Sequence, residues 1–291
     1  SFTGTEKRRL YIYLPIGYEY DTEQRYPVLY MFDGHNIFYD HEAAYGKSWG
    51  IKDFLDGWNK KMIVVGVYCS MHGNDRLSEY SPYNFSAKWP GKVVGTGKKT
   101  MDWYVGPLKE YIDTHYRTRA DKASRAITGL SMGGHGALFL AMRHPEVFGS
   151  CGSMSGGVDI TKFPDRWMLD KRLGKYAANK KAWADHSVIN LVARLKPGQL
   201  NIIVDDGSQD FFYEVNMALH AALDKQGIKH DFSTRPGNHS WKYWCESLPK
   251  HLDFFDQAFA GKEVVCKTSI NKSPTSPQAA SSDTIIKKTN N

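Results

Sequence analysis

Gly129-Leu130-Ser131-Met132-Gly133 is the stretch that settles the architecture of this 291-residue chain. It reads G-x-S-x-G, a pattern short enough to arise by chance, so its flanks decide its meaning. Upstream, Ser124-Arg125-Ala126-Ile127-Thr128 is short and strand-like. Downstream, residues 134–144 (GHGALFLAMRH) read as an amphipathic helix that Pro145 stops. Strand, tight turn and helix together form the context of a nucleophile elbow. Such a turn strains the serine backbone, so the residues two positions away on either side must lack a bulky Cβ, and both are glycine. The hydroxyl then stands above the sheet, and the helix N-terminus aims free N–H groups at developing negative charge.

The rest of the chain supplies a sheet for that elbow. Residues 10–14 (LYIYL) alternate and stop at Pro15, which predicts an early antiparallel strand. Residues 27–32 (PVLYMF) and 62–68 are apolar without polar alternation, as buried parallel strands are. Trp103, Val105, Leu108, Tyr111, Ile112 and Tyr116 recur at helical spacing and predict one helix over 101–116. Further strands are expected at 150–154, 200–204 and 230–234, separated by a helix over 212–226 that Gly227 caps and closed by a helix over 241–259. Strands alternating with helices predict an α/β fold: a mostly parallel central sheet with helices on both faces. Residues 157–197 break the rhythm, being Lys-rich, Trp-bearing and irregular, and are read as a cap-like insertion over the active site at the sheet's carboxyl edge. One catalytic domain over 1–261 is expected, followed by a disordered tail over 262–291, which is rich in Ser, Thr, Lys, Asn and Pro and lacks aromatics.

Composition narrows the function classes. The longest apolar runs, such as Met62 to Val67, have strand length, so no membrane span is expected. Lys and Arg number 38 against 31 Asp and Glu, a net charge of +7. Five tail lysines against Glu263 and Asp283 contribute +3 of this, and the remainder is spread without a basic block. That argues against nucleic acid as a partner. The four cysteines (69, 151, 245, 266) show neither C-x-x-C nor metal-ligand spacing, so reduced thiols and no metal or organic cofactor are expected. The chain starts at Ser1 without a basic-then-apolar leader. The cytoplasm is favoured slightly, with a secreted or periplasmic location if a leader has been removed. Oligomeric state is not legible.

A serine nucleophile needs a base, and the base needs an orienting acid. In the hydrolase plan these follow in the order Ser, acid, His, in loops after successive strands. After the strand at 200–204 comes Asp205-Asp206-Gly207-Ser208-Gln209-Asp210-Phe211, and after the next comes Pro236-Gly237-Asn238-His239-Ser240-Trp241. His239 is the expected base. Asp205 is read as ending the strand and Asp206 as forming the turn, which leaves Asp210, in the loop proper, as the acid. His135 follows the elbow on its helix and should point away from the hydroxyl. The oxyanion should be met by the N–H of Met132 and by a second N–H, His35, in the loop Asp33-Gly34-His35-Asn36 after the strand at 27–32. Phe211, Trp241 and Trp167 are candidate pocket residues. Ser247-Leu248-Pro249-Lys250 matches S-x-x-K but has no companion motif.

Taken together, the chain resembles the putative-esterase family of α/β hydrolases, which includes esterase D (S-formylglutathione hydrolase), feruloyl and acetylxylan esterases of carbohydrate esterase family 1, enterochelin esterases and mycolyltransferases. The resemblance runs from about residue 9 to residue 259. It is carried by residues 26–34 (YPVLYMFDG), the 129–134 elbow, Gly207-Ser208-Gln209-Asp210-Phe211 and Gly237-Asn238-His239-Ser240-Trp241. It implies the α/β-hydrolase fold and a triad of Ser131, Asp210 and His239. The mycolyltransferases also have an Asp-Gly-x loop whose third residue donates to the oxyanion, which supports His35 N–H. Residues 33–36 and 76–82 resemble intracellular bacterial esterases, whereas 153–159 resemble the polysaccharide-esterase branch. The expectation is a serine esterase acting through an acyl-enzyme on feruloyl or acetyl esters of plant polysaccharide, or on small esters. The alternatives are an S-formylglutathione hydrolase-like thioesterase, an acyltransferase and a non-catalytic binding protein. The partner is then a small-molecule or carbohydrate ester.

Overall fold

The computed structural model describes residues 7–70, 76, 79, 80, 88, 89, 92, 93, 97–262, 264 and 266–271. Eight strands form one sheet: β1 (Leu10–Tyr13), β2 (Val28–Met31), β3 (Ile63–Val67), β4 (Arg125–Leu130), β5 (Ser150–Met154), β6 (Asn201–Gly207), β7 (Asp231–Arg235) and β8 (Thr268–Ile270), in spatial order β1-β3-β2-β4-β5-β6-β7-β8. Within this sheet β1 pairs antiparallel with β3, and every other pairing is parallel. The apolar runs at 28–31 and 63–67 are central and wholly buried, as strands covered on both faces must be.

Strand alternation divides the core in two. Val28, Tyr30 and Phe32 point to the face covered by α4 (Met132–Arg143), α5 (Tyr213–Lys225) and the paired helices α2 (Gly97–Trp103) and α3 (Lys109–His115). Leu29 and Met31 point to the other face, under α1 (Ile51–Gly57) and the closing helix α6 (Trp241–Phe259). The helix predicted over 101–116 starts earlier and is interrupted: Tyr104–Leu108 is a π-turn containing Pro107. Proline has no N–H to give and its ring crowds the carbonyl four residues back, so the chain widens there instead of continuing as α-helix.

Residues 157–197 form short helical turns with a small core of their own, Ile160, Leu169, Leu173 and Trp183. The stretch Val188–Arg194 packs on α4, and this explains why α4, amphipathic by sequence, is buried on all sides from Met132 to Met142. Asp205 and Asp206 both lie within β6, so Asp206 does not form the turn. Thr268–Ile270, read from sequence as tail, instead adds an edge strand beside β7. The remaining tail, 272–291, lies outside the described residues, as do 77, 78, 81 and 82 of the 76–82 segment.

Candidate active site

The elbow forms where β4 ends. Ser131 has φ 54° and ψ −118°, a conformation that non-glycine residues rarely adopt. It is held from both sides: its N–H donates to Met154 O at 2.8 Å, and its carbonyl accepts from His135 N–H at 3.0 Å. A Cβ on Gly129 would sit 2.6 Å from the carbonyl carbon of Gly133, and one on Gly133 would sit 3.0 Å from Phe32 Cβ. The turn therefore needs glycine at 129, where the obstacle is backbone, and a small residue at 133.

The candidate acid and base arrive from the loops after β6 and β7, which are bound to each other. Gln209 N–H donates to Gly237 O at 2.9 Å, and Ser208 N–H to Arg235 O at 3.0 Å. His239 Nε2 lies 2.9 Å from Ser131 Oγ, and its Nδ1 lies 2.8 Å from Asp210 Oδ2. The Asp210 side chain is fully buried, and its second oxygen accepts from Phe212 N–H at 2.9 Å. A carboxylate only accepts, so Nδ1 carries the imidazole proton, leaving a bare Nε2 to accept from the serine hydroxyl. His135, by contrast, is buried, with its Nδ1 2.8 Å from Gly157 O and its ring stacked on Phe139.

Gly34–Asn36 forms a short 3-10 turn at the end of β2. Among the described residues neither His35 N–H nor Met132 N–H has a protein acceptor, as two donors kept for an oxyanion require. The His35 ring is 3% exposed and packs edge-on to Tyr68, and burial holds its pKa below the usual histidine value despite the nearby Asp33 charge. The imidazole is thus a neutral packing group.

Sequence reasoning missed the anchor of this turn. Asp33, at φ 58° and 1% exposed, is gripped by Arg76 through Nε–Oδ1 at 2.6 Å and Nη2–Oδ2 at 2.7 Å. Tyr80 Oη donates to the same carboxylate at 2.9 Å, and Arg76 reaches Leu130 O in the elbow strand at 3.4 Å. Burial alone would raise the Asp33 pKa, but the Arg76 charge and hydrogen bonds outweigh it and hold the carboxyl below its usual value. The one available signal was a charged residue directly after a buried apolar strand.

Aromatic side chains border the triad. Phe211, 54% exposed, lies 4.4 Å from the His239 ring, and Trp167 stands 6.0 Å from Phe211 and 5.4 Å from Phe212 (ring centroids). Trp241 is one ring further from the triad: it is reached through Trp244, whose edge meets His239 at 4.8 Å. It stacks instead with Tyr45 at 5.0 Å and Trp49 at 5.1 Å. Tyr45, half-exposed, was not a sequence candidate. Its loop is tied to the oxyanion turn by Ala44 N–H to Asn36 Oδ1 at 2.9 Å and Trp49 N–H to Asn36 O at 2.8 Å. A cavity of about 690 Å³ lined by Leu10, Ile12, Trp103, Leu108, Tyr111 and Tyr116 contains none of these residues.

Two groups of metal-type ligands occur among the described residues. Asp33, His35 and Cys69 converge, but both Asp33 oxygens already pair with the Arg76 guanidinium, which would repel a cation. His220, Asp224 and His230 also converge, yet His230 Nδ1 is committed to Ile228 O at 2.8 Å and its Nε2 to His220 Nδ1 at 2.7 Å. Neither donor set is free for an ion.

The model of the family described as "Putative esterase" matches residues 2–255. The chain is 34% identical over 170 residues to an endo-1,4-beta-xylanase/feruloyl esterase of Xylanibacter ruminicola, a match covering 57% of this chain and 21% of that enzyme. The chain thus spans about a fifth of that relative's length. Its fold matches a solved ferulic acid esterase with TM-score 0.63 at 24% identity, covering 87% of this chain and 94% of that one. It also matches an S-formylglutathione hydrolase from Agrobacterium tumefaciens with TM-score 0.63 at 20% identity, covering 87% and 90%. These two likenesses show the α/β-hydrolase fold.

Proposed function

The chain belongs to the putative-esterase family, and from that premise we propose that it is a carboxylic ester hydrolase of the serine type, in which Ser131, His239 and Asp210 carry out acyl-enzyme chemistry on feruloyl or acetyl esters of plant polysaccharide or on related small esters. Ser131 Oγ attacks the ester carbonyl while His239 Nε2 takes its proton. The oxyanion is met by Met132 N–H and His35 N–H, and the imidazolium then protonates the leaving alcohol. Water, deprotonated by His239, attacks the acyl-enzyme; the acid leaves and Ser131 regains its proton. Asp210 fixes the tautomer and stabilises the imidazolium. The observation that carries this proposal is the unbroken line Ser131 Oγ–His239 Nε2 at 2.9 Å and His239 Nδ1–Asp210 Oδ2 at 2.8 Å.

The substrate class rests on the aromatic border and on the feruloyl esterase relative. Phe211 beside His239, backed by Trp167 and Phe212, suits a flat aryl acyl group. An acyltransferase would use the same residues but must keep water out. The half-exposed Phe211 at the triad favours water as acceptor over a shielded alcohol. Hydrolysis of p-nitrophenyl acetate and methyl ferulate by the wild type and Ser131→Ala tests both levels. Cleavage of methyl ferulate that vanishes in the variant supports the feruloyl assignment. Cleavage of the acetate alone removes it and leaves small acyl esters. Activity surviving in Ser131→Ala refutes the nucleophile.

A further inference from the structure

Asp206 stands directly behind the triad and has no part in the steps above. It is fully buried at the end of β6, four residues before Asp210, with the turn between them closed by Asp210 N–H donating to Gly207 O at 2.9 Å. Asn216 Nδ2, also fully buried, donates to Asp206 Oδ2 at 2.8 Å and to Phe212 O at 3.1 Å. It thereby links Asp206 to the residue whose N–H holds Asp210. Asp206 Oδ1 forms no hydrogen bond of good geometry, while the Ser155 hydroxyl and the Asp210 carboxyl both lie beside its carboxyl. An ionised Asp206 would set two buried negative charges side by side, with Asn216 Nδ2 and the Ser155 hydroxyl as the donors beside it. A proton on Asp206 removes that repulsion, because its O–H becomes a donor to Asp210, which must itself stay ionised for His239.

We infer that Asp206 is a protonated positioning residue whose carboxylic O–H, together with Phe212 N–H, holds the Asp210 carboxylate against His239. This rests on the Ser131–His239–Asp210 triad proposed above. Burial and the adjacent Asp210 charge both push the Asp206 proton affinity well above the usual carboxyl range. Of the titratable groups that face it, Asp210 comes from the following loop, with His239 beyond it, and Tyr243 comes from α6, where burial keeps its hydroxyl protonated. Its other polar neighbours, Ser155 after β5 and Asn216 on α5, do not titrate.

The test compares Asp206→Asn, Asp206→Ala, Asp210→Asn and Ser131→Ala in p-nitrophenyl acetate hydrolysis between about pH 5 and 9. Asparagine keeps a neutral donor, so Asp206→Asn should lose less than about 3-fold in kcat and keep the acid limb of its kcat/KM profile in place. Alanine removes the donor, and Asp206→Ala should lose about 10-fold or more in kcat with KM little moved, as outer hydrogen-bond partners of functional groups do. An acid limb that moves down by about a unit in Asp206→Asn would mean that a negative charge had been removed near His239, and would overturn the inference. Wild-type kinetics in Asp206→Ala would overturn it as well. If Asp206→Ala does not fold, carboxyl-carbon NMR of the wild type decides. A protonated aspartate at about pH 8 that disappears in Asp206→Asn supports the inference, and its absence refutes it. Activity persisting in Ser131→Ala would instead remove the triad itself, so the two failures are distinguishable.

Discussion

Ser131 is held at φ 54° by its neighbours, and this strain makes the chemistry sensitive to changes that touch no substrate. A methyl group on Gly129 would meet the Gly133 backbone at 2.6 Å, where nothing flexible can yield. Gly129→Ala should therefore lose about 2 kcal/mol or more of stability and most of its activity, read by urea unfolding and by ester hydrolysis. Asp210→Asn should keep the fold but lower kcat by about 1,000- to 10,000-fold, because an amide no longer selects the Nδ1–H tautomer. Steady-state kinetics with far-UV circular dichroism as a fold control checks this. At this scale the juxtaposition of Ser131, His239 and Asp210 was legible because each lies in a short local signature and the three come in a fixed chain order. Asp33, Arg76 and Tyr45 were not, since their partners lie far away in the chain: Arg76 is 43 residues from Asp33 and Tyr45 stacks on Trp241.

Between elements, one ion pair ties the oxyanion turn to the elbow. Arg76 grips Asp33 with two hydrogen bonds and touches the end of β4, so Arg76→Met should strand a buried carboxylate. The expected cost is about 3 kcal/mol, with a fall in kcat larger than any change in KM, measured by denaturation and kinetics. The sign of its pH dependence follows. The Asp33 carboxyl is held below its usual range in the folded state, so its contribution is present above the unfolded-state pKa of about 4 and is lost as pH falls through the folded value. The aromatic border makes a separate prediction. Phe211→Ala should raise KM for methyl ferulate by about 5- to 10-fold, and by more than it raises KM for p-nitrophenyl acetate. Equal effects on both esters would remove Phe211 from acyl recognition. Element type was readable where periodicity was strong, as in Trp241–Phe259, whose bounds match the expectation. The π-turn at Pro107 and the strand Thr268–Ile270 were not, the first because helical spacing continues through it and the second because all three residues are exposed and leave no alternation.

For the molecule as a whole, the sheet carries the four site segments, after β2, β4, β6 and β7, at its carboxyl edge, so site geometry and global stability share one core. That core holds two histidines against protonation. Burial lowers the pKa of both His135 and His251 to about 4, while the unfolded chain returns them to about 6.5. A depressed histidine means that the unfolded state binds the proton first, so stability should fall as pH drops from about 6.5 towards 4. The loss is up to about 3 kcal/mol for each histidine. Urea midpoints across that range should show it, and His251→Leu should flatten the slope. A midpoint constant from pH 7 to 4 would contradict it. The parallel sheet covered on both faces was legible from strand–helix alternation. The covering of α4 by Val188–Arg194 was not, because an irregular segment carries no period to read.

The central claim, that Ser131 is a nucleophile activated by His239 and Asp210, is tested most directly by covalent trapping. The protein would be treated with diethyl p-nitrophenyl phosphate, and its intact mass, peptide map and residual esterase activity followed together. The account predicts stoichiometric release of p-nitrophenol, loss of activity in step with it, and a diethylphosphoryl adduct on the peptide containing Ser131, with no adduct in Ser131→Ala and only slow labelling in His239→Ala. Esterase activity that survives complete modification of Ser131, or an inactivating adduct on another residue, would contradict it.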